Sequence, residues 1–220
     1  MEFYDEKNKV YFTNPRLDLI RLIPKRSDNK VLEIGAGGGD TLVEVKKQKL
    51  ASKVVGIELM TMANSNQTNP DIDQFIICDV EKTNFDFPES YFDVILLGDV
   101  VEHLLDPWSF VEKISRIIKK DGVIIASIPN IRYYTACIRI VFKGNFGYES
   151  QGLFDKTHFR FFCKKNMRDL FNSPYLKCED IIPRQNLYKI RSMKKFLTRI
   201  TFGLLEEFFT MQYIIVAKKV

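Results

Sequence analysis

Lys30-Val31-Leu32-Glu33-Ile34-Gly35-Ala36-Gly37-Gly38-Gly39-Asp40 is a short apolar run that breaks into four glycines within five positions. The run from Val31 to Ile34 reads as a β-strand, and Thr41-Leu42-Val43-Glu44-Val45 beyond the glycines resumes an apolar pattern compatible with a helix. Strand, turn and helix follow one another directly. Glycine in such a turn lets the backbone approach a ligand closely, and a helix start carries N–H groups with no partner inside the helix. A ligand is therefore expected at residues 35–40.

The spacing narrows the ligand. A dinucleotide fingerprint, G-x-G-x-x-G, begun at Gly35 needs a glycine where Asp40 stands, and begun at Gly37 it needs one where Leu42 stands. The chain has acid-x-Gly-x-Gly-x-Gly instead, with Glu33 two residues ahead of Gly35. A carboxylate there repels a pyrophosphate and attracts a cationic amine. This segment resembles the first motif of the class I S-adenosylmethionine-dependent methyltransferases. The resemblance implies that Glu33, Gly35, Ala36, Gly37 and Gly39 hold the methionine end of the cofactor.

Two further strands end in acids. Lys53 to Glu58 places Glu58 19 residues after Gly39, where a carboxylate can accept both hydroxyls of a ribose. Gln74 to Cys78 is followed by Asp79-Val80, which in the resemblance frames the adenine, Asp79 accepting from the exocyclic amine and the Val80 N–H donating to the ring. Tyr91 to Leu97 leads into Gly98-Asp99-Val100-Val101-Glu102-His103-Leu104-Leu105-Asp106-Pro107, similar to the family's fourth motif with its E-H-x-x-D-P ending. Leu59, Gly98 and Asp99 complete the cofactor set that the resemblance implies.

Around these segments strand and helix signals alternate, as in a mostly parallel sheet covered on both faces. A helix is expected from Asn14-Pro15 to Pro24 with Leu17, Ile20 and Leu22 or Ile23 inward. Another opens at Pro107 with Trp108, Phe110, Val111, Ile114, Ile117 and Ile118 as apolar positions and closes at Lys119-Lys120-Asp121-Gly122. Strands follow at 123–127, 178–183 and 213–217, with a helix at 164–171. The expected fold is an α/β, Rossmann-like class I methyltransferase sandwich. Its sheet has seven strands, mostly parallel, and the resemblance implies an antiparallel last strand between the fifth and sixth. One domain over 1–220 is expected, with an N-terminal helical segment at 1–28, a substrate-lid insert at 129–163 and a basic amphipathic segment at 185–210.

With 220 residues, 45% of them hydrophobic, the chain can fill the core of one such domain, but two would be a squeeze. A net charge of +5 suits anionic small molecules and falls short of a nucleic-acid footprint, so no nucleic-acid partner is expected. Cys78, Cys137, Cys163 and Cys178 lie far apart without a C-x-x-C pair, which indicates neither zinc nor a disulfide framework and fits a reducing cytoplasm. No signal-like run follows Met1 and no apolar stretch is long enough to span a membrane. Lys189, Arg191, Lys194, Lys195 and Arg199 could meet an anionic membrane surface or an acidic substrate, or simply form a solvated helix face.

The chemistry rests on few candidates. His103 and His158 are the only histidines, and methyl transfer to a hydroxyl needs a base. Asp155-Lys156-Thr157-His158-Phe159-Arg160-Phe161-Phe162 resembles a D-x-T-H-x-R-F-F signature of methyltransferases found with sugar- and polysaccharide-modifying enzymes. His158 is the first candidate base, with Asp155 orienting it and Arg160 pairing with an anionic group; His103 reads as a residue behind the site. Asp99, Glu102 and His103 at i, i+3 and i+4 form an alternative set for a divalent metal if the turn is helical. The expected function is S-adenosylmethionine-dependent O-methylation of a sugar, sugar nucleotide or related small polar metabolite for surface polysaccharide. N-methylation and a metal-dependent O-methyltransferase are alternatives, and from other classes a nicotinamide-dependent oxidoreductase or a non-catalytic partner protein of the same fold.

Overall fold

A computed structural model describes residues 14–84, 86–184 and 205–220. Seven strands, β1 (Lys30–Ile34), β2 (Lys53–Glu58), β3 (Gln74–Ile77), β4 (Phe92–Gly98), β5 (Ile118–Pro129), β6 (Leu176–Pro183) and β7 (Gln212–Lys219), form one sheet in the order β3-β2-β1-β4-β5-β7-β6. Pairing is parallel from β3 through β5, and β7 lies antiparallel between β5 and β6. The chain order reverses between β1 and β4, which opens a crevice beyond their C-terminal ends.

Central strands of a parallel sheet are covered on both faces and so read as continuous apolar runs rather than alternations. Val31, Val94, Leu96 and Ile125 pack on one face with Leu42 and Val45 of helix α2 (Asp40–Lys47) and with Leu19, Ile20 and Ile23 of and after helix α1 (Leu17–Ile20). Leu32, Ile34, Ile95 and Leu97 point the other way, onto Phe110, Val111 and Ile114 of helix α3 (Pro107–Ile117) and Met167 and Leu170 of helix α5 (Lys164–Leu170). Between them in the chain stands the short helix α4 (Tyr134–Cys137) of the insert.

Several expected positions shift. Leu17 is 44% exposed and Leu19 takes the inward place. Trp108 is 57% exposed and does not join the core of α3. That helix starts as expected, with Asp106 Oδ1 accepting from the Ser109 N–H at 3.1 Å and Pro107 in its first turn, but stops at Ile117. The N–H groups of Ser90 and Tyr91 bind the carbonyls of Arg116 and Ile117, and Ile118 pairs with Phe92, so strand β5 captures the segment expected to finish the helix. Asp121 takes a left-handed backbone (φ 63°) where the register shifts.

The insert is tied in at its base. Asn130 is fully buried, and its side-chain amide donates to the carbonyls of Glu207 and Thr210 at 2.7 and 2.8 Å. Helix α4 runs on into a wider turn over Ile138–Phe142, closed by Lys143 N–H to the Ile138 carbonyl at 3.2 Å, and residues 141–152 are exposed throughout. Lys189, Arg191, Lys194, Lys195 and Arg199 lie outside the described residues, as does most of the segment 185–210. No helix among the described residues is long and apolar enough to cross a membrane.

Candidate active site

A cavity of about 1220 Å³ occupies the crevice at the ends of β1, β2, β3 and β4. Glu33, Glu58, Asp79 and Val80 line it, together with Arg16, Asp18 and Arg21 near the start of the chain and Ile182, Pro183 and Arg184 at the end of β6. Of the expected cofactor residues, Gly35, Ala36, Gly37, Leu59, Gly98 and Asp99 also line it. Gly39 does not.

The glycine turn serves the cavity differently from what its sequence suggests. The N–H groups of Gly35 and Ala36 donate to the Ile57 carbonyl, that of Gly37 to Glu58 Oε2 at 2.7 Å, and that of Gly39 to the Ala36 carbonyl. These donors are spent inside the protein, so the turn offers a close-lying backbone rather than an anion cradle. A Cβ on Gly35, whose φ is +69°, would meet Val100 Cγ2 at 2.4 Å. Gly39 caps α2 with φ +87°, and a Cβ there would strike Ile72 and the Asn66 backbone. Gly98 makes room for an arginine: its Cβ would sit 2.9 Å from Arg16 Nη1.

Three carboxyl groups face this turn. Glu33 is buried, its Oε2 has no hydrogen-bond partner, and burial pushes its pKa up to about 8 despite a bond from Thr41 and the field of Arg16. An orphaned buried carboxyl oxygen on a cavity wall is costly unless a ligand supplies its donor. Glu58 accepts from the Gly37 and Leu59 N–H groups, yet burial still raises its pKa. Asp40 is raised by burial as well.

Sequence reasoning missed Arg16. Its guanidinium donates to Asp99 Oδ2 at 2.8 Å, Ser127 Oγ at 2.9 Å and both oxygens of Asp18. Arg184 bonds Asp18 at 2.8 Å and also Gln212, and Gln212 bonds Asp99, so five side chains, four from the two ends of the chain and Asp99 from its middle, close a ring. Burial acts to lower the Arg16 pKa, but the charges of Asp99, Asp18 and Glu33 outweigh it and keep the cation firmly protonated. No local signal marks an arginine whose partner lies 83 residues away. Asp99 itself has a left-handed backbone (φ 58°) and is turned toward Arg16, not toward Glu102 and His103.

The two histidines meet. Their rings stack edge to face with centroids 4.7 Å apart, and the ligand atoms of Glu102, His103 and His158 lie within 4.8 Å of one another. The turn after β4 is helical only over Val101–His103, which brings His158 rather than Asp99 to this group. His103 lines the cavity, whereas His158 is buried behind it, the reverse of the expected order. Each Nδ1 faces a backbone carbonyl, Thr157 at 2.9 Å for His103 and Leu153 at 3.2 Å for His158. Nδ1 is then the protonated nitrogen of the neutral ring. Asp155 Oδ1 accepts from the N–H and hydroxyl of Thr157 and so shapes the turn that presents the Thr157 carbonyl. Arg160 bonds the Leu105 carbonyl and stands 5.6 Å from the Trp108 ring, on the outer side of the site. Of residues 129–163 only Phe159 lines the cavity among the described residues; its N–H is held by the Glu102 carbonyl at 2.9 Å. The insert therefore contributes Phe159 to the lining of the cavity.

This sheet order is the fold of Rossmann-like methyltransferases. The chain belongs to the methyltransferase domain family, whose model matches residues 8–178. It is 28% identical over 125 residues to the mitochondrial ubiquinone biosynthesis O-methyltransferase of Bos taurus, covering 53% of this chain and 33% of that one. To the ubiquinone biosynthesis O-methyltransferase of Actinobacillus pleuropneumoniae serotype 5b (strain L20) it is 29% identical over 131 residues, 55% of each chain. The chain thus spans between a third and about half the length of these curated relatives. A solved S-adenosylmethionine-dependent methyltransferase from Archaeoglobus fulgidus superposes with a TM-score of 0.61 at 17% identity, over 99% of this chain and 97% of that one.

Proposed function

We propose that the protein transfers a methyl group from S-adenosylmethionine to a hydroxyl of a small molecule. The observation that carries this reading is the buried, unpartnered Oε2 of Glu33 on the wall of a cavity large enough for cofactor and acceptor together. Glu33 would hold the amine of the cofactor, Arg16 its carboxylate, Glu58 the ribose, and Asp79 with Val80 the adenine. When bound, S-adenosylmethionine supplies a methyl group already activated on a sulfonium. The protein's own work is placement, exclusion of water and removal of one proton.

His103 is assigned that proton, at Nε2. It lines the cavity, and the Thr157 carbonyl fixes its other nitrogen as the donor. His158, buried against it, packs the ring in place. The resemblance of 155–162 supports a sugar-containing acceptor. The cavity opening supports an acceptor with an apolar face, since Leu17, Leu59, Leu105 and Phe159 all line it while remaining exposed. Thermal shift with S-adenosylhomocysteine, NAD and nucleotides tests the class, because a ligand of the folded state raises its melting temperature. A response to NAD alone would make the protein a nicotinamide enzyme.

A second reading is favoured by the Glu102, His103 and His158 group, whose donor set suits a divalent transition metal. In that reading His103 is a ligand, the acceptor hydroxyl loses its proton more readily beside the cation, and chelation stops turnover.

A further inference from the structure

The insert carries an apolar face that nothing among the described residues covers. Ile138, Val141 and Phe142 stand at i, i+3 and i+4 of the helical run from Tyr134, and their exposures are 44%, 72% and 81%; among the described residues no large apolar side chain is more exposed than these last two. The opposite side of the same run is anchored by Ala136, fully buried. Further along the insert, Phe146 packs edge-on against Tyr148, Phe154 and Phe161 at 5.2–5.9 Å.

The stretch that carries this face is basic, although two of its three cations are paired with carboxylates. Residues 131–148 contain Arg132, Arg139 and Lys143 and no acidic residue, in a chain of net charge +5. Arg139 bonds Glu149 and Arg132 bonds Glu207, both outside that stretch, while Lys143 is exposed next to Phe142. Exposed apolar tips beside a lysine, with tyrosines nearby, are features shared with helices that lie in a lipid–water boundary. The exposed side chains from Ile138 to Tyr148 amount to roughly 600 Å², taking ~150–250 Å² for each large side chain, which is short of the ~800 Å² per partner of a stable protein interface. A bilayer needs no matching surface.

We propose that the face formed by Ile138, Val141 and Phe142, with Lys143 at its edge, docks the protein on an anionic phospholipid bilayer. The two most exposed side chains enter the acyl boundary, and Lys143 stays with the headgroups. The inference is independent of the reaction and of the ligand in the cavity.

The test is cosedimentation of the full chain with vesicles of phosphatidylcholine alone and of phosphatidylcholine mixed with phosphatidylglycerol. The wild type should bind the mixed vesicles and be released by salt. V141D/F142D should bind at least tenfold more weakly, and Lys143→Gln about fivefold more weakly, on the usual scale of one headgroup-facing charge. Unchanged melting curves show that the variants fold, as expected for side chains that stand in solvent. Failure of the wild type to bind anionic vesicles overturns the proposal. So does binding that survives V141D/F142D but is lost in K194E/K195E, and so does a wild-type dimer that V141D/F142D converts to monomer without any vesicle binding.

Discussion

Nδ1 of His103 lies 2.9 Å from the carbonyl oxygen of Thr157, a contact that holds the proton of the neutral ring on Nδ1. With the proton held on Nδ1, Nε2 is the acceptor. The Thr157 carbonyl is presented by a turn that Asp155 closes, so Asp155 acts on His103 through the backbone.

His103→Ala should lower kcat by about 10²-fold or more with cofactor affinity intact, the usual scale for a general base. His158→Ala should cost less, because that ring supports His103 rather than facing the cavity. Turnover with the true acceptor and calorimetric cofactor affinity, measured on both variants, check this order. Loss of turnover on chelation, together with a bound ion missing from His103→Ala, would hand the site to the metal reading.

Arg16→Ala should destabilise the protein by about 2–4 kcal/mol, since it takes the shared cation away from two partly buried carboxylates, Asp99 and Asp18. Arg16→Lys should recover only part of this, because a lysine cannot reach Asp99, Ser127 and Asp18 with one planar fork. Denaturant unfolding of both variants measures it.

Gly35→Ala combines two costs, a side chain at φ +69° and a Cβ 2.4 Å from Val100 Cγ2. A loss of about 1–3 kcal/mol is expected. Val100→Ala should relieve the steric part and leave the backbone part, so the double variant should be more stable than the sum of the singles predicts. Chemical unfolding of the four proteins in the cycle reads the coupling directly.

Much of this architecture is legible in the amino-acid sequence. The glycine turn, the acids after β2 and β3, and every strand of the sheet can be read from local pattern, because a buried parallel strand is an apolar run whatever surrounds it. The end of α3 cannot. Ile118 to Gly122 carries good helix-ending residues, and only pairing with β4 makes it strand. Arg16 and Gly98 leave no local trace for the same reason: their meaning lies in a contact between distant segments. The placement of the two histidines, His103 on the cavity and His158 buried, is not legible because sequence places His158 in a loop and gives no sign that the loop folds under, pinned by the Glu102 carbonyl. The free N–H groups expected at the turn are consumed by Ile57, Glu58 and Ala36, which no spacing rule reveals.

Glu33 gives the free protein a distinctive pH response. Its folded pKa, about 8, lies above the ordinary 4.5, so the folded state holds the proton more tightly and stability falls as pH rises from about 4.5 to about 8. Glu33→Gln should remove that slope and stabilise the free protein above neutrality by on the order of a few kcal/mol. Thermal or urea unfolding across that pH range checks the sign.

The same residue tests the placement of the cofactor. Pairing with an amine should return Glu33 to its carboxylate, so binding of S-adenosylhomocysteine near pH 7 should release close to one proton. Calorimetry in two buffers of different ionisation enthalpy, on wild type and Glu33→Gln, measures it. The account predicts proton release in the wild type, and in the variant much weaker binding without release. Equal affinity in both proteins, or no proton released by the wild type, would contradict it.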